Sequence, residues 1–210
     1  VKTDYLISEC TFGLPIFKWD QTKNIAINIS NWINNSPDKT SLLFCYSLGK
    51  AQRLLNEISK TNFEGNIYTH ASIHKMNDCY RQLGICIKDT IKIENKKKID
   101  DLKGNLILLP PSLSKGSYLK NFKNIQTAFA SGWMSIRALR TRSGYDKGFA
   151  ISDHADWEGI LEVVKKSEAK NVFFHHGDSE ALSKYLSEKE SINVLSVSYT
   201  HLRAHETRTN

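Results

Sequence analysis

The chain has 210 residues, with 29 Lys and Arg against 22 Asp and Glu and a formal net charge of +7. A hydrophobic content of 40% is enough to bury a substantial core, which excludes disorder as a description of the whole chain. The sequence contains no stretch of about 18 uncharged apolar residues. Residues 1–10 also lack the basic and apolar regions of an export signal. We therefore expect a cytoplasmic protein with no membrane partner.

The positive charge favours a polyanionic partner such as nucleic acid. Part of this charge is local, because one short stretch holds several cations and a single carboxylate, Asp146. The cations of this stretch are Arg137, Arg140, Arg142 and Lys147. We predict that this stretch faces phosphates. The alternative explanation is a lysine-rich composition that reflects an AT-rich genome.

The N-terminal half alternates strands with helices. Tyr5 to Ser8 predict a short strand that ends at Glu9, and Asp20 predicts the N-cap of the helix that follows. Apolar residues at three-to-four spacing predict two more helices, each preceded by a run of strand length. These strands and helices are expected, in order, at residues 41–46, 51–58, 66–69 and 73–83. Gly84 follows the last helix as a C-cap.

The C-terminal half continues the same alternation. Residues 106–109 predict a buried strand that Pro110 stops, and residues 127–134 predict a further strand. Strands and helices then alternate over residues 149–152, 157–166, 172–174, 180–189 and 193–197. This order predicts an α/β fold with mainly parallel sheets.

The pattern predicts an α/β domain at residues 18–140, flanked by two pieces of another α/β domain at residues 1–17 and 141–197. Residues 198–210 have no apolar periodicity and resemble a translated sequencing-adapter read-through. We expect these residues to be a non-native tail. A native metal-binding tail that uses His201 and His205 is the alternative.

Three ionisable residues directly follow apolar strands, at the sheet edge where α/β proteins usually bind ligands. They are Glu9, His154 and His176. Each has a simpler explanation by itself, as a solvated carboxylate, a turn residue and a histidine packed before a glycine turn. Together, a carboxylate and two imidazoles are the groups that a hydrolytic phosphodiesterase site requires.

The segments around these residues resemble the motifs of the β-CASP nucleases, which have a metallo-β-lactamase fold with an inserted α/β domain. Glu9 to Gly13 match motif A, Ser152 to Asp156 match motif B, and His176-Gly177 match motif C. Four longer segments are similar to the ligase-associated DNA exonucleases, a subgroup also described as mRNA 3′-end processing factors. These segments are TFGLPIFKW, YSLGKAQRLL, TAFASGWMSIR and GFAISDHADW.

The resemblance implies a partial metallo-β-lactamase segment at residues 1–17, the β-CASP domain at 18–140 and a return into the metallo-β-lactamase domain at 141–197. It also implies a zinc-dependent nuclease in which Glu9 orients His154 at the scissile phosphate. In the nuclease that the resemblance implies, His154 would stabilise or protonate the leaving oxygen, and His176 would bind one of two zinc ions. For the neighbouring His175 and Asp178 two alternatives stay open, a contact with a metal ligand or a position exposed to solvent.

The family's upstream His-x-His-x-Asp-His signature is absent from this sequence. His70 and His74 do not replace it, because they belong to the inserted domain. Catalytic zinc needs about three protein ligands, so we expect a C-terminal fragment that is inactive alone and does not hold zinc stably. Because part of the sheet is missing from such a fragment, we expect apolar surface to be left uncovered at residues 1–8 and 149–152.

Two further segments predict contacts with nucleic acid. Lys50 and Arg53 lie at the start of a helix, where cations and backbone N–H groups can bind phosphate. An ordinary strand-to-helix turn explains them equally well. Ser131 and Gly132 offer a hydroxyl group and an unhindered backbone, and Arg137 belongs to the basic stretch. Trp133 after them is expected in the core, with base stacking as the alternative.

These observations are compatible with several functions. DNA is the expected substrate, with exonuclease activity and a DNA ligase as a possible partner by subgroup analogy. The alternatives are an RNA-processing β-CASP ribonuclease and a non-catalytic basic module that binds nucleic acid. A metallo-β-lactamase-fold hydrolase that acts on a thioester or lactam is disfavoured by the large insert between Glu9 and His154.

Overall fold

The computed structural model describes residues 2–93 and 102–196. The chain divides into two compact units, which are treated separately below. Unit 1 combines residues 1–17 with residues 154–210, and unit 2 is the continuous stretch Lys18–Asp153. The predicted tail at residues 198–210 lies outside the described residues.

The elements alternate along the chain as expected for an α/β protein. The strands are β1 (Tyr5–Glu9), β2 (Thr40–Phe44), β3 (Ile67–Thr69), β4 (Ile91–Lys92), β5 (Leu106–Leu109), β6 (Ile125–Ala130), β7 (Lys147–Phe149), β8 (Asn171–His175) and β9 (Asn193–Ser196). The α-helices are α1 (Thr22–Asn34), α2 (Lys50–Ile58), α3 (Ala71–Gln82), α4 (Arg137–Arg142), α5 (Trp157–Ser167) and α6 (Glu180–Lys189). The predicted α/β fold class is confirmed.

Unit 2 contains a six-stranded sheet in the order β4-β3-β5-β2-β6-β7. All its strand pairs are parallel within the described residues. Alternate residues of a strand point to opposite faces, and the central strands bury both faces in separate apolar clusters. Leu43 and Leu108 join the cluster that contains residues of α1 and α2, while Leu42 and Ile107 join the other. The uninterrupted apolar runs of β2 and β5 therefore reflect a sheet that is covered on both faces.

Unit 1 contains a three-stranded parallel sheet in the order β1-β8-β9. One face packs on α5 and α6 through Val172, Phe174, Ile160 and Leu182. They belong to the apolar core of the unit, together with Cys10, Val164, Ala169 and Leu186.

The exposed apolar surface predicted at residues 1–8 is present on β1, where Tyr5 is 62% exposed and Ile7 is 72% exposed. The same prediction for residues 149–152 is wrong. Phe149 and Ile151 are buried in the apolar cluster of unit 2. The reason is that β7 pairs with β6 and thereby carries these side chains into the larger core.

Several predicted boundaries shift. The strand expected at residues 127–134 ends at Ala130, because Gly132–Ser135 form a 3₁₀ turn. The N-cap of α1 is Gln21, since the Asp20 carboxylate accepts from Gln21 N and Asn24 Nδ2 instead of capping the first turn. The compact unit that begins near residue 18 runs to Asp153 rather than to residue 140, because β7 belongs to its sheet.

No helix in residues 2–93 and 102–196 has both the length and the apolar character needed to cross a bilayer. The longest of the helices, α1, has 13 residues. Spanning the hydrocarbon core takes about 20 residues.

Candidate active site in unit 1

Motifs A and C lie side by side at one edge of the unit 1 sheet. β1 and β8 are parallel and in register, with Glu9 opposite His175. Parallel strands end at the same sheet edge, so the residues that follow β1 lie beside those that follow β8. Cys10 and His175, for example, are in contact although they are 165 positions apart in the sequence. This edge is where ligands bind in open α/β sheets.

A tight turn after β8 places His176 at this edge. His176 and Gly177 both have positive φ, 59° and 128°. The Cys10 N–H donates to the carbonyls of His175 and His176 at 3.2 and 3.1 Å. A side chain at Gly177 would place its Cβ 2.3 Å from the Cys10 carbonyl oxygen. Glycine is therefore required for motif C to pack against motif A.

His154 contacts the motif A carboxylate. Its Nδ1 atom lies 3.3 Å from Oε2 of Glu9, and the same oxygen accepts the Thr11 N–H at 2.8 Å. The Phe12 ring lies edge-on to the imidazole, with the ring centroids 5.9 Å apart. The side chains of Glu9 and His154 are 30% and 52% exposed, so the pair is open to a substrate. The structure thus brings together the two residues predicted to act as one catalytic pair.

The helix after His154 begins with a side-chain cap. Asp156 Oδ1 accepts the Gly159 N–H at 2.9 Å and caps α5. This hydrogen bond gives Asp156, the last residue of motif B, a structural role. On the other side of the edge, Asp178 Oδ1 accepts the Glu180 N–H at 3.0 Å at the start of α6. Neither carboxylate needs a catalytic role to explain its position.

The environment of Glu9 favours its ionised form. Partial burial raises the pKa of Glu9, but the hydrogen bonds from Thr11 and His154 and the charge of His154 outweigh burial and hold the pKa below 4.5. Glu9 is therefore a carboxylate at neutral pH. It accepts a hydrogen bond from Nδ1 of His154, which determines the orientation of the imidazole.

The pKa of the adjacent Cys10 is shifted in the opposite direction. Burial, together with the charges of Glu9 and Asp178, raises the pKa of Cys10 to about 11. Since the thiolate is the reactive form of cysteine, a neutral Cys10 is not the nucleophile of this site. Its backbone N–H, which joins motifs A and C, is its contribution to the site.

Glu9 couples the stability of unit 1 to pH. Because its folded pKa is lowered, its stabilising contribution is complete above the unfolded value of 4.5 and is lost as the pH falls through the folded pKa. Glu9→Gln should remove this part of the pH dependence, a difference of less than about 1 kcal/mol for a partly exposed pair. Urea unfolding at a series of acidic pH values, followed by circular dichroism, measures it.

Glu162→Gln is the matched control, because Glu162 lies on α5 with a 61% exposed side chain and pairs with Lys166. It should retain the acid sensitivity of the wild type. Equal pH dependence in wild type and Glu9→Gln would contradict the assigned role of the Glu9 interactions.

The described residues do not complete a zinc site by themselves. Within residues 2–93 and 102–196, no group of three or more His, Cys, Asp or Glu side chains is arranged to hold a metal ion. His176 offers one imidazole, and catalytic zinc usually has three protein ligands. His70 and His74 have local roles, since His70 caps α3 and His74 Nδ1 lies 3.2 Å from Thr69 Oγ1.

Candidate nucleic-acid contacts in unit 2

Lys50 and Arg53 hold the first two residues of motif B. Lys50 is 4% exposed, and its Nζ lies 3.9 Å from Asp153 Oδ2 and 4.8 Å from the centre of the Tyr46 ring. Arg53 Nη2 donates to the Ser152 carbonyl at 2.8 Å, and Nη1 lies 3.8 Å from Asp153 Oδ1. Burial lowers the pKa of Lys50, although Asp153 opposes this effect. The ammonium group of Lys50 therefore faces the protein, whereas the Arg53 side chain is 41% exposed.

The segment after β6 has a different arrangement from the one expected. Ser131 and Gly132 are buried, and the Ser131 N–H donates to the Phe149 carbonyl at 3.0 Å. The expectation that Trp133 belongs to the core is wrong, since it is 42% exposed. The 3₁₀ turn rotates it outward while Met134 is buried. Trp133 is thus the exposed aromatic residue of this segment.

Arg137 begins α4, a short helix that carries the basic stretch. Arg137, Arg140 and Arg142 are all on this helix, and none of its residues is buried. Its one large apolar side chain, Leu139, is 39% exposed. The helix therefore presents its cations to solvent.

Three contributors to these sites were not predicted from the sequence. They are Thr11, whose N–H binds Glu9, Gly177, whose lack of a side chain admits Cys10, and Asp153, the partner of Lys50 and Arg53. A glycine directly after a predicted site histidine was the one available signal. Thr11 and Asp153 lie in the segments that resemble motifs A and B, but nothing local marks their roles, because their contacts depend on the tertiary structure.

Two comparisons with known proteins bear on this arrangement. Residues 148–197, which include His154 and His176, match a family model described as the Zn-dependent metallo-hydrolase RNA specificity domain. A protein named "Probable DNA ligase" from Opitutus terrae is 26% identical over 188 residues, which is 89% of this chain. The chain spans 18% of the length of that relative.

Proposed function

We propose that the chain is a member of the β-CASP family of metallo-β-lactamase-fold proteins, which the match at residues 148–197 supports, and that it forms part of a nuclease that hydrolyses phosphodiester bonds in nucleic acid. The family is one of zinc-dependent metallo-hydrolases that process nucleic acid. The finer proposal is an exonuclease that acts on DNA in the cytoplasm.

The contact between Glu9 and His154 supports this proposal most strongly. A departing alkoxide oxygen requires a proton or a positive charge, and an imidazolium supplies either one. Glu9 accepts a hydrogen bond from Nδ1 of His154, so the other ring nitrogen, Nε2, is the atom that donates its proton to the leaving oxygen. The ionised Glu9 stabilises the positive charge of His154 before transfer and holds the ring in place afterwards.

The family implies zinc, which supplies a hydroxide nucleophile and polarises the phosphate when it is bound. Of the described residues, His176 would contribute an imidazole nitrogen to such a centre. The remaining ligands are not among the described residues, which contain no group of three suitable side chains. The chain's own contribution to the chemistry is therefore the positioned acid at His154.

Substrate binding is assigned to the surfaces of unit 2. Arg137, Arg140 and Arg142 on α4 supply exposed cations for phosphates, and Arg53 adds a partly exposed guanidinium. Trp133 can stack on an unpaired base. Lys50 acts indirectly by anchoring Asp153, whereas Ser131 and Gly132 contribute through the backbone of the turn.

A DNA substrate is favoured by the relative that is named as a probable DNA ligase. In that relative, the region similar to this chain is part of one longer polypeptide. We propose that this chain acts beside a DNA ligase, which seals ends of the kind that an exonuclease prepares. An RNA substrate is the alternative, since the matched domain is described by RNA specificity.

A non-catalytic module that binds nucleic acid is the second candidate function. It is favoured by the net charge of +7 and by the lack of a three-ligand metal group among the described residues. Both candidates predict binding that weakens with salt, because each phosphate contact releases counterions. The two differ in whether any metal-dependent cleavage occurs.

Two measurements test the proposal. The first is the salt dependence of binding to end-labelled single-stranded DNA and to RNA of the same sequence, by fluorescence anisotropy. The second is cleavage of both strands in the presence of zinc by a polypeptide that joins an upstream zinc-binding half of the implied kind to this chain. Zinc-dependent release of nucleotides from DNA ends is expected. Zinc binding with no cleavage of either strand would reject the nuclease and leave the binding module.

A further inference from the structure

Unit 2 contains a cavity of about 430 Å³ between α2 and the segment that follows α3. One wall is a single face of α2 with its N-cap, because residues at three- and four-residue spacing share a helix face. These wall residues are Gly49, Gln52, Arg53 and Asn56. The opposite wall comes from Tyr80 of α3 and from residues 85–87. Cavities of this size, within about 300–1,000 Å³, are typical of small-molecule sites.

The walls of the cavity favour an uncharged, flat occupant. Ile87 is buried, Ile85 is 48% exposed, and Tyr80 adds an aromatic side chain. The two charged residues of the lining, Arg53 and Asp153, lie 3.8 Å apart and oppose each other. The cavity therefore lacks the excess of positive charge that would favour binding of a phosphate.

The polar wall has hydrogen-bonding capacity that the described residues leave unused. Gln52 Nε2 donates to the Ser47 carbonyl at 3.0 Å and to Asn77 Oδ1 at 2.8 Å, which determines the orientation of its amide. Its Oε1 and the Nε of Arg53 are buried with no partner among the described residues. A buried polar group that lacks a hydrogen-bond partner destabilises the folded protein.

An aliphatic side chain would leave both atoms unpaired. An occupant with neighbouring donors and acceptors could pair them after a small adjustment of the side chains that cover them. This difference favours a polar aromatic ligand over an apolar peptide.

We propose that this cavity receives a single unstacked nucleobase of a bound nucleic-acid strand. The proposal rests on the proposed function, which supplies the substrate class. A base is planar and uncharged, carries donors and acceptors along its edge, and stacks on aromatic or apolar side chains. Apart from Asp153, the lining lies outside residues 148–197, so base recognition belongs to a part of the chain that the matched domain does not include.

The free cysteines provide the test. Cys79 and Cys86 are exposed, whereas Cys10 and Cys45 are buried. Cys86 lines the cavity and Cys79, on α3, does not, so Cys79 is an internal control. The 210-residue chain is alkylated with iodoacetamide in the presence of a short oligodeoxyadenylate or of an abasic strand of the same length. Mass spectrometry measures the rate at each cysteine, and anisotropy measures strand binding.

The oligodeoxyadenylate should slow alkylation of Cys86 by about fivefold or more, because a base bound in the cavity would lie against Cys86 and shield its thiol from the reagent. The abasic strand should bind without protecting Cys86, and Cys79 should react at the same rate throughout. Binding of the oligodeoxyadenylate without protection of Cys86 would overturn the base pocket and leave the proposed function intact. Equal protection by the abasic strand would also overturn it. No binding of either strand at low salt would overturn both proposals.

A variant provides an independent measurement. Ile85→Trp, at a half-exposed position, fills the cavity and should weaken oligodeoxyadenylate binding about tenfold, within the range for loss of one stacked base. Ile27→Trp is the matched control, since Ile27 is 45% exposed on α1 and does not line the cavity. Affinity for the abasic strand should be the same in both variants. Equal affinity of the two variants for oligodeoxyadenylate would reject the pocket.

Discussion

Replacing His154 by Ala should lower the rate of zinc-dependent phosphodiester cleavage by about 10²- to 10⁴-fold, the range for a positioned general acid. The measurement uses the polypeptide that joins an upstream zinc-binding half to this chain, under single-turnover conditions. The rate falls because the substitution removes the imidazole that contacts Glu9 Oε2 and that is proposed to donate a proton to the leaving oxygen. Strand affinity should change by less than about twofold, because phosphate contacts supply most of the binding energy.

His74→Asn is the matched control for this loss. It removes an imidazole from unit 2, and the amide can keep the contact with Thr69 Oγ1. Its cleavage rate should equal that of the wild type. Glu9→Gln should also lower the rate, and the double variant should be no slower than His154→Ala, since residues that act as one unit are not additive. A full rate in His154→Ala with zinc bound would refute the role of His154.

Gly177→Ala should destabilise unit 1 by about 3 kcal/mol or more, one of the largest effects available to a single methyl group. The added Cβ would lie 2.3 Å from the Cys10 carbonyl oxygen and 2.9 Å from the Thr11 nitrogen, and both are backbone atoms. The φ of 128° is also unfavourable for a side chain. Relief requires β1 and the turn after β8 to separate, which removes the contact between motifs A and C.

Hydrogen exchange with mass spectrometry locates this effect, since peptides from β8 report on unit 1 and peptides from β5 report on unit 2. Faster exchange is expected in β8 alone. Gly84→Ala is the control, because Gly84 has a φ of 76° but no atom within 4 Å of the added Cβ. It should cost about 1 kcal/mol from backbone strain alone. Equal losses of stability in Gly177→Ala and Gly84→Ala would show that the close contact between Gly177 and Cys10 contributes little to the effect.

Strong local signals predicted the fold well. The strand at residues 106–109 and the helix at residues 180–189 have the predicted bounds, because a proline stops the first and apolar periodicity defines the second. The helix α4 was not predicted, since its arginines are exposed and leave no amphipathic pattern. The short edge strand β4 was missed for a related reason, as both its residues are exposed.

The candidate site was harder to predict from local patterns. Position after a strand singled out Glu9, His154 and His176, but only the family resemblance paired the first two. Their contact depends on how distant segments of unit 1 pack. Lys50 shows the limit most clearly, because a lysine at a helix start is usually solvated, and its burial against Asp153 follows from tertiary structure.

The discontinuity of unit 1 has a consequence for biosynthesis. β1 leaves the ribosome long before β8, its neighbour in the sheet, has been translated. Unit 2 is continuous in sequence and can fold in the meantime, and its folding shortens the distance that the chain must close to join the two strands. Until then β1, which carries the exposed Tyr5 and Ile7, lacks its β8 partner, and a strand edge left open in this way can pair wrongly with other chains. Slow translation of residues 154–175 would therefore lower the yield of folded protein more than the same delay within unit 2.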